Sequence, residues 1–474
     1  MINLGLSITS LATRNGPGGI KNLNPSLWLD PADMRSLFQN WAGTMPILGP
    51  GQPVGLMLDK SNDLKPGPDA VTDGGLNDGE AHWNTNGDAT ISNGQVRIHS
   101  PDGSYSNVVQ TDILTVGEWY RLEYTVTAYG FGGLSISGVT GNPPLPTTIG
   151  RHSVIIQSKV EYLSIKRRSG PTDITIADIA ARSIPGYHAA QKFNDDQRPF
   201  LARHPMSGIR NLMDNSASFA GWNDSAGSLT ATALGLPEIE MVKLAARVGQ
   251  SGLTFVALPS AVQAKQTVTF SVVASAAEYP ILHFIGGDGF AASRAAFEVD
   301  LTTGAILSGS AYVESLGSGL FRVSTQLDYN GTGNKNLYLR PREEMGVDVL
   351  GDGVKGILLA QAQLEIGSAP TPYQNRINQY DVTESGQRAF WYLSNDQIDD
   401  ELVVEFPDLG SDVTEFWADE NGVTIRGGQL IGAGNRVVPG GASLYAYGAI
   451  GRALSGPETE QLRKFLELRA AVRS

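Results

Sequence analysis

Cysteine is absent from all 474 residues, which removes any disulfide framework, thiolate nucleophile or Cys-ligated zinc and leaves stability to packing, metal or oligomerisation. Histidine is nearly as scarce. The six that occur (His82, His99, His152, His188, His204 and His283) show no His-Glu-x-x-His spacing and no pair at helical separation, so a zinc-hydrolase site has no support. No Gly-x-Ser-x-Gly elbow lies between a strand and a helix, and the Gly130 to Gly133 stretch falls between strands, where it cannot cradle a phosphate. Adjacent acids such as Glu343 and Glu344 point to opposite faces of a strand and do not form a hydrolytic pair. These absences point away from an enzyme.

Positive charge is also in short supply. With 35 Lys and Arg against 48 Asp and Glu the net charge is −13, and the densest cationic run is Lys166, Arg167, Arg168, so nucleic acid is not an expected partner. No window approaches 18 consecutive apolar residues, and MINLGLSITSLATRNG lacks the basic and apolar regions of a signal peptide. The expectation is a chain made in a cytoplasm, without an export signal and without membrane insertion.

What the sequence does have is punctuation. Its 56 glycines and 25 prolines, with 41% apolar and 18% charged residues, favour short strands joined by turns, and the length favours several domains. Tyr120, Leu122, Tyr124 and Val126 alternate with Arg121, Glu123, Thr125 and Thr127 as in a half-buried strand, and Val268, Phe270, Val272 and Ala274 repeat the pattern. The regions 63–186 and 209–375 read as a divergent repeat of β-sandwiches, each opening on a tryptophan (Trp83, Trp222) that plugs its core. Residues 1–24 predict a strand through Ile2, Leu4, Leu6 and Ile8, serving either as an anchor on a neighbouring subunit or as an edge strand. In 25–62, which is too short to close a sandwich, Asp30 is expected to cap a short helix bearing Met34, Leu37 and Phe38. One long helix is predicted from Ser455, with Pro457 in its first turn and Leu462, Phe465, Leu466 and Val472 on one face.

LWLDPADMRSLFQNWAGTMPILGPGQPVGLMLDKS (27–61) resembles the opening segment of a family of tailed-bacteriophage virion structural proteins. GYHAAQ (186–191), RPFLAR (198–203), QRAFWYLSNDQIDDELV (387–403) and LYAYGAIGRALSGPETEQLRKFLELRA (444–470) are similar to its later segments. The resemblance implies a concanavalin/laminin-G-like sandwich split over 25–62 and 376–474. It is interrupted by two carbohydrate-binding-module-like jelly rolls, 63–186 and 209–375, with 187–208 as connector. The second insert opens on GIRNLMDNSASFAGWN (208–223) and closes on AQLEIGSAPTPY (362–373). The expected fold class is therefore all-β, a multi-domain β-sandwich and jelly-roll architecture with one C-terminal helix. Where the family shows Asp-Gly-x-Asp-Asp after an aromatic, this chain has Asp396, Gln397, Ile398, Asp399, Asp400, without the turn glycine.

Function is expected to follow from exposed aromatic faces that stack on pyranose rings, flanked by groups that hydrogen-bond hydroxyls. The candidate patch is Arg121, Glu123 and Tyr129 on the polar face of one strand, with Tyr105 and Phe131 in flanking loops. The same residues also read as loop anchors and a solvated outer face. Resemblance to carbohydrate-binding modules implies a structural calcium, with Asp173 or Asp178 as ligands. The family implies a fibre, spike or tail-tip subunit of a virion, associated with other virion proteins and with copies of itself, a trimer being one option, and meeting host-surface polysaccharide. An architectural role as capsid decoration or fibre adaptor, or a polysaccharide depolymerase, are the alternatives.

Overall fold

The computed structural model describes residues 19–191, 196–223, 227–232, 239–252, 254–257, 259–291, 296–333 and 335–470. The strand expected over Ile2 to Ile8 lies outside the described residues, as does Val472. Within them the chain is all-β with one α-helix, Gly456–Glu467. It divides into two compact units, Met1–Leu201 with Phe390–Ser474, and Ala202–Ala389.

The first unit holds two sandwiches. In one, a four-stranded sheet orders Leu27–Leu29, Ala446–Ile450, Gly410–Asp419 and Gly422–Ile431. It faces a sheet of Leu37–Phe38, Leu56–Met57, Ala189–Ala190, Val403–Phe406 and Gly434–Val437. Leu27 pairs with Ala449 and Leu29 with Tyr447, so a strand near the start closes against one near the end. The core between these sheets includes Leu29, Leu37, Met57, Val404, Trp417 and Tyr447.

The helix expected after Asp30 is a single 3-10 turn, Met34–Ser36, capped by the Asp33 carboxylate accepting from the Arg35 amide. Leu37 and Phe38 are already in a strand, because Leu56–Met57 offers them an antiparallel ladder and a buried face that a two-turn helix could not reach. Asp30 instead lies buried among Lys60 and Arg469, and these cations hold its carboxyl below the usual range despite the desolvation that opposes them.

The second sandwich of this unit is the first jelly roll. Its sheets order Pro144–Leu145, Leu134–Ser137, Leu163–Arg167, Asn107–Gln110 and Asn84–Asn86 on one side, and Gly150–Gln157, Trp119–Phe131, Thr172–Ser183, Gln95–Ser100 and Thr90–Ser92 on the other. Tyr120, Leu122, Tyr124 and Val126 enter the core as the alternation requires, and Trp83 is buried there with its indole N–H donating to Asp73 O at 3.1 Å. A smaller apolar cluster of Leu56, Leu58, Trp119, Ile155, Ile184 and Ala190 glues this jelly roll to the split sandwich. Ile155 N also donates to Ala42 O at 2.7 Å.

The second unit packs the six-stranded sheet Gly227–Thr232, Met241–Ala246, Gly356–Ile366, Thr267–Ala276, Leu320–Asp328 and Tyr312–Gly317 on a five-stranded one, Thr254–Ala257, Asn336–Arg342, Ile281–Gly286, Ala296–Asp300 and Ala305–Gly309. Phe270, Phe284 and Phe297 stack at its centre, and Trp222 is buried against Phe219. The unit extends beyond 209–375 because flanking residues lock to each other. Arg203 Nε donates to Asp381 at 2.6 Å, and Arg210 pairs with Glu384 at 2.8 Å.

Candidate glycan-contact site

The five residues of the candidate patch separate into two groups along the strand Trp119–Phe131. Glu123 lies at one end, where Arg182 and Arg151 reach its carboxylate at 3.0 and 3.2 Å and Arg182 also pairs with Asp69 at 3.1 Å. Arg121 lies opposite Arg182 in the ladder. Six residues farther along, roughly 20 Å away at the rise of a strand, Tyr129 and Phe131 stand at the other end. Glu123 therefore belongs to a surface charge network, and neither it nor Arg121 lies with the aromatic rings.

Tyr129 and Phe131 are joined there by Tyr105, and all three rings are open to solvent, at 48%, 43% and 53% exposure. Phe131 is the last residue of its strand and not part of a loop, whereas Tyr105 does sit in the 101–106 connection. Three connections converge to build this end. Arg167 N donates to Ser106 O at 3.0 Å, Arg168 N donates to Gly133 O at 2.7 Å, and the Arg167 side chain reaches Ser104 O. Gly132, at φ +88°, is required by the approach, since a β-carbon there would stand 2.4 Å from Pro171 O. The Tyr129 hydroxyl folds back to donate to Gly132 O at 3.3 Å, which fixes the ring over the turn while leaving its face exposed.

Charged groups rim the rings. Arg97 grips Asp173 with two hydrogen bonds of 2.7 Å, holding that carboxyl below the usual range, and His99 Nδ1 lies 3.5 Å from the same carboxylate. Arg168 is exposed, and its aliphatic stem passes over the position of Gly133. Arg97, His99 and the Lys166 to Arg168 run were not among the expected site residues. Only the cationic run left a trace in the sequence, because the Arg97 and His99 contribution depends on the ladder that sets them beside Asp173.

The expected calcium ligands do not converge. Asp173 is occupied by Arg97, and Asp178, exposed at φ +52°, lies five residues farther along the same strand, roughly 16 Å at strand rise. Calcium needs six to eight oxygens around one point, so these two do not fit it as a pair. Elsewhere, Asp396, Asp399 and Asp400 bring carboxylate oxygens within 4.8 Å of one another. Asp396 is spent on turn geometry, accepting from the amides of Ile398 and Asp399 at 2.8 and 3.2 Å, and Gln397 takes the left-handed conformation (φ +61°) that a turn glycine would adopt.

A cleft of about 620 Å³ opens between the first jelly roll and the split sandwich, lined among others by Glu118, Trp119, Gln157, Tyr187, Glu405 and Phe406. Gln157 Nε2 spans its floor to Glu405 at 2.9 Å and to Gly117 O at 3.3 Å. Its tryptophan is only 6% exposed and packs into the joint, so it offers a sugar little face to stack on. The loop end, with three open rings, is the better platform.

The fold and this surface define an all-β chain of packed sandwiches whose first jelly roll carries an aromatic, cation-rimmed loop end. No protein-family model matches the chain, and no curated protein matches it either. Among solved structures it is similar to the N-terminal CBM22-1–CBM22-2 tandem domain of Paenibacillus barcinonensis Xyn10C, at 9% identity and a TM-score of 0.24, over 65% of this chain and 100% of that one. It is also similar to an anti-sigma factor domain-containing protein, at 9% identity and a TM-score of 0.15, over 64% of this chain and 94% of that one. Neither likeness is close enough to define the fold of this chain. Among the described residues no helix is long and apolar enough to cross a membrane.

Proposed function

We propose that this chain is a non-enzymatic structural subunit of a tailed-phage particle that touches host-surface glycan through the loop end of its first jelly roll. The observation that carries the glycan half is the set of three exposed rings at one end of the jelly roll, Tyr105 on a connection and Tyr129 and Phe131 at the end of a strand, where the connections are braced by backbone hydrogen bonds. Exposed aromatic faces on a rigid two-sheet scaffold suit the apolar faces of pyranose rings, and weak single sites become useful when copies assemble. The particle half rests on the long segments, beginning with 27–61, that resemble virion structural proteins.

Two experiments separate the halves. The full chain is expected to bind on an array of bacterial surface polysaccharides, with binding reduced at least about tenfold in Tyr129→Ala/Phe131→Ala, since each stacked ring contributes on the order of 1 kcal/mol. Absence of binding across the array would remove the glycan half. Antibodies raised to residues 64–186 are expected to decorate intact particles in electron micrographs, and undecorated particles would remove the other half.

A further inference from the structure

We propose that the saccharide taken at this loop end is anionic, with its carboxylate, sulfate or phosphate groups met by Lys166, Arg167 and Arg168 while Tyr105, Tyr129 and Phe131 carry its ring faces. The inference rests on the glycan reading above and names the class of sugar within it.

The local charge runs against that of the whole chain. Acids outnumber bases 48 to 35 overall. Around this end, four cations (Arg97, Lys166, Arg167, Arg168) face three carboxylates (Asp88, Asp102, Asp173). Several arginines elsewhere are tied to acids, as in Arg203 with Asp381, Arg210 with Glu384 and Arg376 with Asp214. Here only Arg97 is so tied, and that pair cancels Asp173. Among the described residues neither Lys166 nor Arg168 has an ion-pair partner, and Arg167 directs its Nε to the Ser104 carbonyl. Asp102, exposed, accepts the Ser104 amide at 2.8 Å and offsets part of the Arg167 charge. Asp88 follows the glycine that abuts Tyr105.

An uncompensated guanidinium beside exposed rings is the arrangement that recognises a ring bearing an acid. The planar fork meets two oxygens of a carboxylate, sulfate or phosphate, and the aromatic face takes the apolar side of the same sugar. A neutral sugar would use the rings and leave the cations idle. Nucleic acid shares the chemistry of rings and phosphates, but it relies on a row of phosphate contacts, and the surface beyond this small end carries the negative excess.

The test titrates the full chain at 50 mM and 300 mM NaCl with dextran, dextran sulfate, polygalacturonate and a single-stranded oligonucleotide. We expect dextran sulfate or polygalacturonate to bind at least about tenfold more tightly than dextran, and the preference to shrink severalfold at the higher salt. Which of the two binds identifies sulfate or carboxylate as the recognised group. Lys166→Gln/Arg168→Gln is expected to lose that preference at an unchanged melting temperature, both side chains reaching solvent. Dextran binding as tightly as the polyanions, or a preference that survives in the double variant, would overturn the anionic class while leaving glycan contact standing. Tighter binding to the oligonucleotide than to either polyanionic saccharide would overturn the saccharide itself, and binding to none of the four would remove both readings.

Discussion

The Asp59 carboxylate accepts the amides of Trp28, Ser61 and Tyr187 at 2.9, 2.8 and 2.9 Å and the Ser61 hydroxyl at 2.9 Å, while its own amide donates to His188 Nδ1 at 3.0 Å. Burial pushes its carboxyl up to about 6 against these hydrogen bonds, and burial drives His188 down to about 3, keeping that ring neutral. The folded protein therefore holds the Asp59 proton to a higher pH than the unfolded chain, where the group titrates near 3.8. Its contribution to stability is complete below pH 3.8 and is lost as pH rises through about 6, an effect of roughly 3 kcal/mol by linkage. Asp59→Asn is expected to unfold more easily at pH 4 yet to show a flatter denaturant midpoint between pH 4 and 6 than the parent. Equal slopes in the two proteins would refute the assignment. Nothing near Asp59 in the sequence announces this, because Tyr187 and His188 lie more than a hundred residues away. Gln397 is the opposite case, since the missing glycine at that turn could be read directly and the backbone still adopts the left-handed conformation a glycine would have taken.

At the scale of elements, the C-terminal helix was legible because its signals are local. The Ser455 amide and hydroxyl both donate to the Glu458 carboxylate at 2.9 and 2.8 Å, Pro457 sits in the first turn, and the 3.6-residue period delivers Leu462 and Leu466 to the core. Leu466→Ala is expected to cost about 3 kcal/mol in chemical denaturation and Leu468→Ala, two residues on and exposed, less than about 0.5 kcal/mol. A reversed order would mean that the helix presents another face. The stretch from Met34 to Phe38 departs from its local signals for the complementary reason. Its composition allows a helix, but the antiparallel partner that claims Leu37 and Phe38 lies about twenty residues downstream. The same limit divided the candidate patch. Strand alternation predicts Arg121, Glu123 and Tyr129 on one face, but a bulge after Val126 breaks the alternation and pairs Tyr129 with the buried Ile174, and the cross-strand arginines already engage Glu123.

For the whole molecule, the all-β class followed from composition and alternation, while the units depend on which distant segments lock together. Ala202–Ala389 has a continuous core of its own, with Phe270, Phe284 and Phe297 stacked at its centre and its flanks pinned by Arg203 and Arg210. Produced alone, residues 202–389 are expected to give a cooperative melt and dispersed amide resonances, whereas 209–375, which lacks Arg203, Asp381 and Glu384, is expected to melt lower. Indistinguishable melts would assign those ties no weight. The pairing of Leu27–Leu29 with Ala446–Ile450 reaches further still. A ribosome releases the first of these strands some four hundred residues before it makes the second. Both inserted modules can be complete while that early strand still waits with an open hydrogen-bonding edge, so the split sandwich closes only after Ala446–Ile450 has been made.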